Sequence, residues 1–219
     1  MPARAFVFDA YGTLFDVHAA IARHRAACGP DADRVSDLWR TKQLEYTWTL
    51  TLADRYEDFW TLTRRALDYA MARYPSVSPD LKPALLDAYF ALDAFADAIP
   101  SLTALRKRGQ HTAILSNGSP QMLNAAVDGA GMRALLNAVF SVDPLRLYKP
   151  RREVYAMAAD GLSVAPEDVV FVSSNRWDVM GAAEFGFSAV WVNRSRMPDE
   201  YPHAPPANII AGLAALPEL

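Results

Sequence analysis

Ala5-Phe6-Val7-Phe8-Asp9-Ala10-Tyr11-Gly12-Thr13-Leu14-Phe15 is the stretch that decides the architecture. Four apolar residues run without alternation into an acid, and the acid leads into a Gly-Thr turn. A strand with one wet face alternates apolar and polar residues, whereas an unbroken apolar run marks a strand buried on both faces, as in a parallel sheet. The same pattern returns downstream. Thr112-Ala113-Ile114-Leu115 runs into Ser116-Asn117-Gly118, and Val169-Val170-Phe171-Val172 runs into Ser173-Ser174-Asn175. Ala138-Val139-Phe140-Ser141-Val142 and Ala189-Val190-Trp191-Val192 have the same character.

Helical stretches separate these runs. Ser119-Pro120 reads as an N-cap and first helical residue ahead of Met122, Leu123, Ala126 and Val127. Arg152 to Gly161 and Trp177 to Gly186 also read as helices, each closing near a glycine that could serve as a C-terminal stop. Alternation of strand and helix implies an α/β fold with a doubly wound, mostly parallel Rossmann-like sheet. The stretch from Val17 to Ala98 breaks the alternation. It holds no buried-strand run and carries helical spacing through Leu38, Leu44, Trp48, Tyr56, Phe59, Trp60, Leu67, Met71 and Tyr74, with Ser78-Pro79-Asp80 opening another helix. We therefore expect a helical cap over residues 17–98, inserted after the first strand, and an α/β core of residues 1–16 and 99–219.

Composition narrows the function classes. The chain has 219 residues, enough to bury a sizeable core, with 22 Lys+Arg against 25 Asp+Glu and no basic block that would suit nucleic acid. Cys28 is the single cysteine and the four histidines are scattered, so a Cys- or His-based metal site is not expected. No apolar run reaches the roughly 18 residues of a membrane span, and Asp9 interrupts the start too early for a signal peptide. A soluble, cytoplasmic protein without a cofactor is the expectation.

Doubly wound sheets bind ligands outside the carboxyl ends of their strands. The polar residues there are Asp9, Thr13, Ser116, Asn117, Asn175 and Asp178, with Lys149 after the Ala138–Val142 run. A carboxylate beside a lysine, with hydroxyl and amide donors nearby, is the equipment of a nucleophilic aspartate.

Those residues fall in four segments that resemble the motifs of the haloacid dehalogenase superfamily: Phe8 to Phe15, Leu115-Ser116-Asn117-Gly118, Tyr148-Lys149-Pro150, and Ser173 to Asp178. Within the insertion, Trp39-Arg40, Gln43 to Trp48 and Arg55 to Trp60 resemble the L-2-haloacid dehalogenase branch. The resemblance covers nearly the whole chain, in order. It implies displacement at C2 of an (S)-2-haloalkanoic acid by Asp9, an aspartyl-ester intermediate, and hydrolysis to the (R)-2-hydroxy acid and halide. By the same resemblance Asp178 polarises the water, Asn175 positions it, and Lys149 keeps Asp9 ionised. Thr13 and Ser173 would support Asp9 by hydrogen bonds, while Arg40 and Asn117 receive the halide. Ser116, with the N–H groups around Ala10 and Tyr11, suits the substrate carboxylate. Tyr11, Leu44, Phe59 and Trp177 would wall the alkyl group, and Tyr155 would bond within the site or pack. The family also admits a homodimer.

Two rival readings remain. Magnesium-dependent phosphohydrolases of this superfamily carry an acid two residues after the nucleophile and paired acids in the fourth motif, where this chain has Tyr11 and a single Asp178 beside Asn175. Without a divalent cation, each phosphate charge about 4 Å from a carboxylate is repelled by roughly 4 kcal/mol at an effective dielectric near 20. A haloacid carries one charge, removable from the attacking oxygen. A non-catalytic binding protein would have no use for nucleophile, lysine and acid together.

Overall fold

The computed structural model describes residues 5–219. Its centre is one sheet of six strands: β1 (Ala5–Phe8), β2 (His111–Ser116), β3 (Ala138–Ser141), β4 (Val169–Ser173), β5 (Ser188–Val192) and β6 (Asn208–Ile210). All neighbours are parallel, in the order β3-β2-β1-β4-β5-β6. β1, β4 and most of β2 are buried throughout, as their unbroken apolar runs require. The chain winds outward in both directions from β1, so the crevice at the carboxyl ends of β1, β2 and β4 is the switch point where ligands bind in such sheets.

Between β1 and β2 lies the helical insertion: α1 (Ala19–Arg23), α2 (Arg25–Cys28), α3 (Ala32–Leu52), α4 (Phe59–Arg73) and α5 (Lys82–Phe90). α3 is held against α4 along its row Trp39, Gln43 and Thr47, all buried. The polar atoms on that row are satisfied: Trp39 Nε1–H donates to the Thr63 carbonyl at 2.8 Å and Gln43 Nε2 donates to Thr63 Oγ1 at 3.0 Å. One position on, at the same spacing, α3 carries Arg40, Leu44 and Trp48, and this row looks toward the sheet's carboxyl edge. Asp58 caps α4, accepting from the Thr61 N–H at 3.0 Å.

α6 (Ala98–Lys107), α7 (Pro120–Gly129), α8 (Arg152–Leu162) and α9 (Arg176–Phe185) complete the core. Ser119 caps α7 as its Ser-Pro start implies. Gly186 ends α9 with a φ of +116°, the left-handed conformation that glycine adopts without a Cβ clash. Gly161 does not end α8, contrary to the sequence expectation. The helix runs through it to Leu162, and Ser163 is the left-handed residue. Gly161 instead makes room for Phe140, because a Cβ there would sit 2.5 Å from the Phe140 ring. The other difference is β6, which follows the Pro-rich stretch Tyr201 to Pro206 and is not among the strand runs read from the sequence. Two of its three residues are exposed, so it lacks the buried run that identifies the other strands. A 3₁₀ segment, Leu213–Glu218, ends the chain.

Candidate active site

β1 delivers Asp9 to the switch point. The Asp9 N–H still donates to the Val172 carbonyl at 2.9 Å, so the residue is the last rung of the β1–β4 pairing. The chain then folds back at once. The Ala10 carbonyl accepts from the N–H groups of Thr13, Leu14 and Phe15, with Gly12 at a φ of +97°. This turn brings Thr13 Oγ1 back onto Asp9, donating to Oδ2 at 3.1 Å. It leaves the Ala10 and Tyr11 N–H groups without a hydrogen-bond acceptor among the described residues.

The ends of the neighbouring strands supply the rest. Asn175 follows β4, and its Nδ2 donates to Asp9 Oδ2 at 2.8 Å. Lys149 reaches in from the loop after β3 and donates to Asp9 Oδ1 at 3.1 Å and to Asp178 Oδ2 at 2.9 Å. Asp178 lies in the first turn of α9, where the helix dipole favours a carboxylate. Tyr155 on α8 donates to its Oδ1 at 2.8 Å. All three charged groups are withdrawn from solvent: Asp9 is 6% exposed, Lys149 1% and Asp178 0%. Burial works against the Lys149 ammonium, but Asp178 and Asp9 outweigh it and hold its pKa above the ordinary lysine value. Burial, countered by Lys149 and reinforced by Asp9, pushes the Asp178 carboxyl up to about 6. The Tyr11 and Tyr155 phenols are held well above their usual range, chiefly by burial, and stay protonated.

Over Asp9 lies a small pocket lined by Asp9, Tyr11, Arg40, Leu44, Phe59, Ser116, Asn117, Asn175 and Trp177. Its free space is about 10 Å³, close to that of one water molecule. Arg40 enters from α3, donating from Nη2 to the Tyr11 carbonyl at 3.0 Å and to Asn175 Oδ1 at 3.4 Å. Asn117 Oδ1 accepts the Lys149 backbone N–H at 3.1 Å, which fixes the amide so that its NH₂ is the end left for a ligand. Ser116 Oγ accepts the Gly118 N–H at 3.1 Å and keeps its own proton to donate. On the far side of Arg40 and Asn175 is a larger cavity of about 420 Å³, reaching Asp16, His18 and Arg194, but Asp9 does not line it. The chemistry belongs to the small pocket, which the carboxylate lines.

The structure thus gathers around Asp9 or directly behind it thirteen of the fourteen other residues expected there, and corrects the placement of several. Ser173 makes no hydrogen bond to Asp9; its Oγ accepts the Asn175 N–H at 3.1 Å and so shapes the start of α9. Ser174, which sequence reasoning passed over, is the partner of Thr13: its N–H donates to Thr13 Oγ1 at 2.8 Å and its hydroxyl donates to the Gly12 carbonyl at 2.7 Å. Gly12 belongs with it, since a Cβ there would crowd Ser174 Oγ at 3.3 Å. Tyr155 and Asp178 sit behind the nucleophile and do not line the pocket. Among the described residues no group of three His, Cys, Asp or Glu side chains is placed to share a metal ion. The charge between the two aspartates comes from Lys149 Nζ.

The arrangement can hold a monoanion at Ser116 and the free N–H groups, press its reactive carbon on Asp9, and offer Arg40 and Asn117 to a departing anion. Known proteins with the same architecture fit this chemistry. The family profile of haloacid dehalogenase-like hydrolases matches residues 3–186. (S)-2-haloacid dehalogenase 1 of Pseudomonas sp. (strain CBS-3) is 48% identical over 100% of this chain and 96% of its own length. The crystal structure of a dehalogenase superposes with a TM-score of 0.97 at 45% identity, covering 100% of this chain and 97% of that one. An L-2-haloacid dehalogenase from Xanthobacter autotrophicus, solved with chloropropionic acid covalently bound, superposes with a TM-score of 0.89 at 36% identity, over 99% and 98% of the two chains.

Proposed function

The chain belongs to the haloacid dehalogenase-like hydrolases, and we propose that its Asp9, Lys149 and Asp178 carry out the family's chemistry on a small 2-haloacid. The protein hydrolyses (S)-2-haloalkanoic acids to (R)-2-hydroxy acids through an aspartyl ester. The observation that carries the assignment of residues is the Lys149 ammonium, seated 3.1 Å from Asp9 Oδ1 and 2.9 Å from Asp178 Oδ2 under a pocket walled by aromatic and aliphatic side chains.

Asp9 attacks C2 from the face opposite the halogen, forming a C–O bond as the carbon–halogen bond breaks. Thr13, Asn175 and Lys149 hold its two oxygens, so little reorganisation is left for the reacting step. The halide leaves toward Arg40 and Asn117, where a guanidinium and an amide N–H receive the developing charge. Water then attacks the Asp9 carbonyl carbon, with Asp178 accepting its proton and Asn175 guiding its approach. The second step leaves C2 untouched, so the centre is inverted once. Residues 17–98 act as the cap that carries Arg40, Leu44 and Phe59 onto a core of 1–16 and 99–219. The pocket offers no counterpart to the acid that phosphohydrolases place at Tyr11.

Halide release from chloroacetate and (S)-2-chloropropionate, with and without EDTA and beside a phosphate-ester control, tests the reading. Release should persist in EDTA and give (R)-lactate on chiral chromatography, while the phosphate ester stays intact. Activity lost to the chelator and restored by magnesium, with phosphate release, would transfer the protein to the phosphohydrolase reading.

A further inference from the structure

The wall of the pocket has two unlike halves. Tyr11 and Phe59 form one. Both are buried, and they lie against a continuous aromatic stack: Tyr11 on Tyr89 at 6.0 Å, Tyr89 on Trp39 at 4.9 Å, and Phe59 on Tyr148 at 6.3 Å. Each polar handle behind them is tied down, with Trp39 Nε1–H donating to the Thr63 carbonyl, Tyr89 OH to Gln43 Oε1 at 3.2 Å, and Tyr148 OH to the Glu57 carbonyl at 2.6 Å. A packed, fully bonded wall of this kind gives way to an extra methylene only at the cost of strain.

Leu44 and Trp177 form the other half. Both are only half-buried and stand outside the packed core. What lies behind them is Trp48, one turn beyond Leu44 on the same ridge of α3, meeting the Trp177 ring edge-on at 5.4 Å. This half is not tied down. Trp48 Nε1 and Thr51 Oγ1, three residues apart on that helix, are both buried without a hydrogen-bond partner among the described residues.

We propose that Trp48, acting through Trp177, sets the length of the 2-haloacid side chain that the enzyme accepts. This rests on the dehalogenase reading and deepens it. The free space of about 10 Å³ over Asp9 cannot take a longer alkyl group unless one wall yields. The Tyr11–Phe59 wall is braced, so the chain extends toward Leu44 and Trp177, and Trp48 limits how far the Trp177 indole can retreat. Trp48 is a specificity-determining residue outside the pocket, with no contact to the reacting atoms.

The test compares kcat/KM for 2-bromohexanoate and 2-bromopropionate in wild type, Trp48→Leu, Trp48→Phe and Trp60→Leu. Trp60 is a cap tryptophan in a similar edge-on pair, with Phe90 at 5.2 Å, and serves as the control for loss of a large side chain away from the site. The expected result is a ratio of long to short substrate at least 10-fold higher in Trp48→Leu, arising mainly from a lower KM for the hexanoate, and unchanged in Trp60→Leu. Trp48→Phe, the smaller perturbation, should move the ratio the same way by a lesser factor and decides the matter if Trp48→Leu does not fold. Equal loss on both substrates, or an unchanged ratio, would overturn the role of Trp48 while leaving the dehalogenase reading in place. A wild-type enzyme that releases no bromide from either acid would overturn both.

Discussion

Lys149 meets opposite demands: burial disfavours its charge, and two carboxylates within 3.1 Å require it. The carboxylates win, which leaves the site with one ammonium shared by two acids and makes Asp178, not Lys149, the group that titrates near neutrality. Burial raises the Asp178 carboxyl to about 6, so it is ionised and able to accept a proton above that pH and protonated below it. Ester hydrolysis should therefore slow about tenfold per pH unit below about 6 in a pre-steady-state profile, and Asp178→Asn should release about one halide per site and stall. Full multiple turnover by Asp178→Asn would assign the base elsewhere. Arg40→Ala should cost at least about 100-fold in kcat/KM, about 2.7 kcal/mol, without a matching fall in melting temperature; near-wild-type turnover would make Arg40 a surface residue. The placement of Asp9 and Asn175 was legible because polar residues that end apolar runs have no packing reason to be there, and that of Lys149 and Asp178 through the motifs they belong to. Ser174 was not. In Ser173-Ser174-Asn175 three polar residues look equivalent as letters, and only the path of the backbone decides that Ser174 meets Thr13 while Ser173 turns to Asn175.

At the scale of elements, strand ends and helix starts do the positioning. Four of the core strands were readable from unbroken buried runs, and β3 from its apolar character alone despite being half-exposed at the sheet edge. β6 was hidden because an edge strand of three residues has neither length nor burial to advertise it. Gly161 was misread because a glycine near a helix end is ambiguous: it can be a stop, or it can admit a neighbour's ring. Gly181 is of the second kind and bears on catalysis. A Cβ there would fall 2.5 Å from the Tyr155 hydroxyl and 2.6 Å from Pro150 Cβ, so α9 packs on α8 and the Lys149 loop only through a glycine. Gly181→Ala should destabilise the protein by about 1–3 kcal/mol through overpacking and displace Tyr155 from Asp178. Differential scanning calorimetry should show a melting temperature several degrees lower, with turnover reduced beyond what unfolding explains. A wild-type melting temperature would mean that the helix pair shifts without cost.

Across the whole molecule, hydrogen bonds on two sides tie the cap to the core, in addition to those of Arg40 over the pocket. On one side the connecting strands of chain hold each other, with the Phe95 N–H donating to the Leu14 carbonyl and the Asp16 N–H to the Asp93 carbonyl, both at 2.9 Å. Arg194 joins this hinge to the nucleophile turn, bonded to both oxygens of Asp97 at 2.8 and 2.9 Å and to the Thr13 carbonyl at 3.4 Å. On the other side Tyr56 OH donates to Asp143 Oδ1 at 2.6 Å and Tyr148 OH to the Glu57 carbonyl. These contacts join residues far apart in the chain, and no local period announces them, which is why the cap's existence was readable and its seating was not. Seated in this way, the cap leaves about 10 Å³ over Asp9. Once closed, the site admits little water, and that favours attack by Asp9 itself over attack by solvent on C2. A single turnover in oxygen-18 water with enzyme in excess, followed by mass spectrometry of the peptide spanning Asp9, measures this directly. The heavy isotope should enter the Asp9 side chain and leave the hydroxy acid mostly free of it; an unlabelled Asp9 with label in the first product would assign the attack on C2 to solvent water.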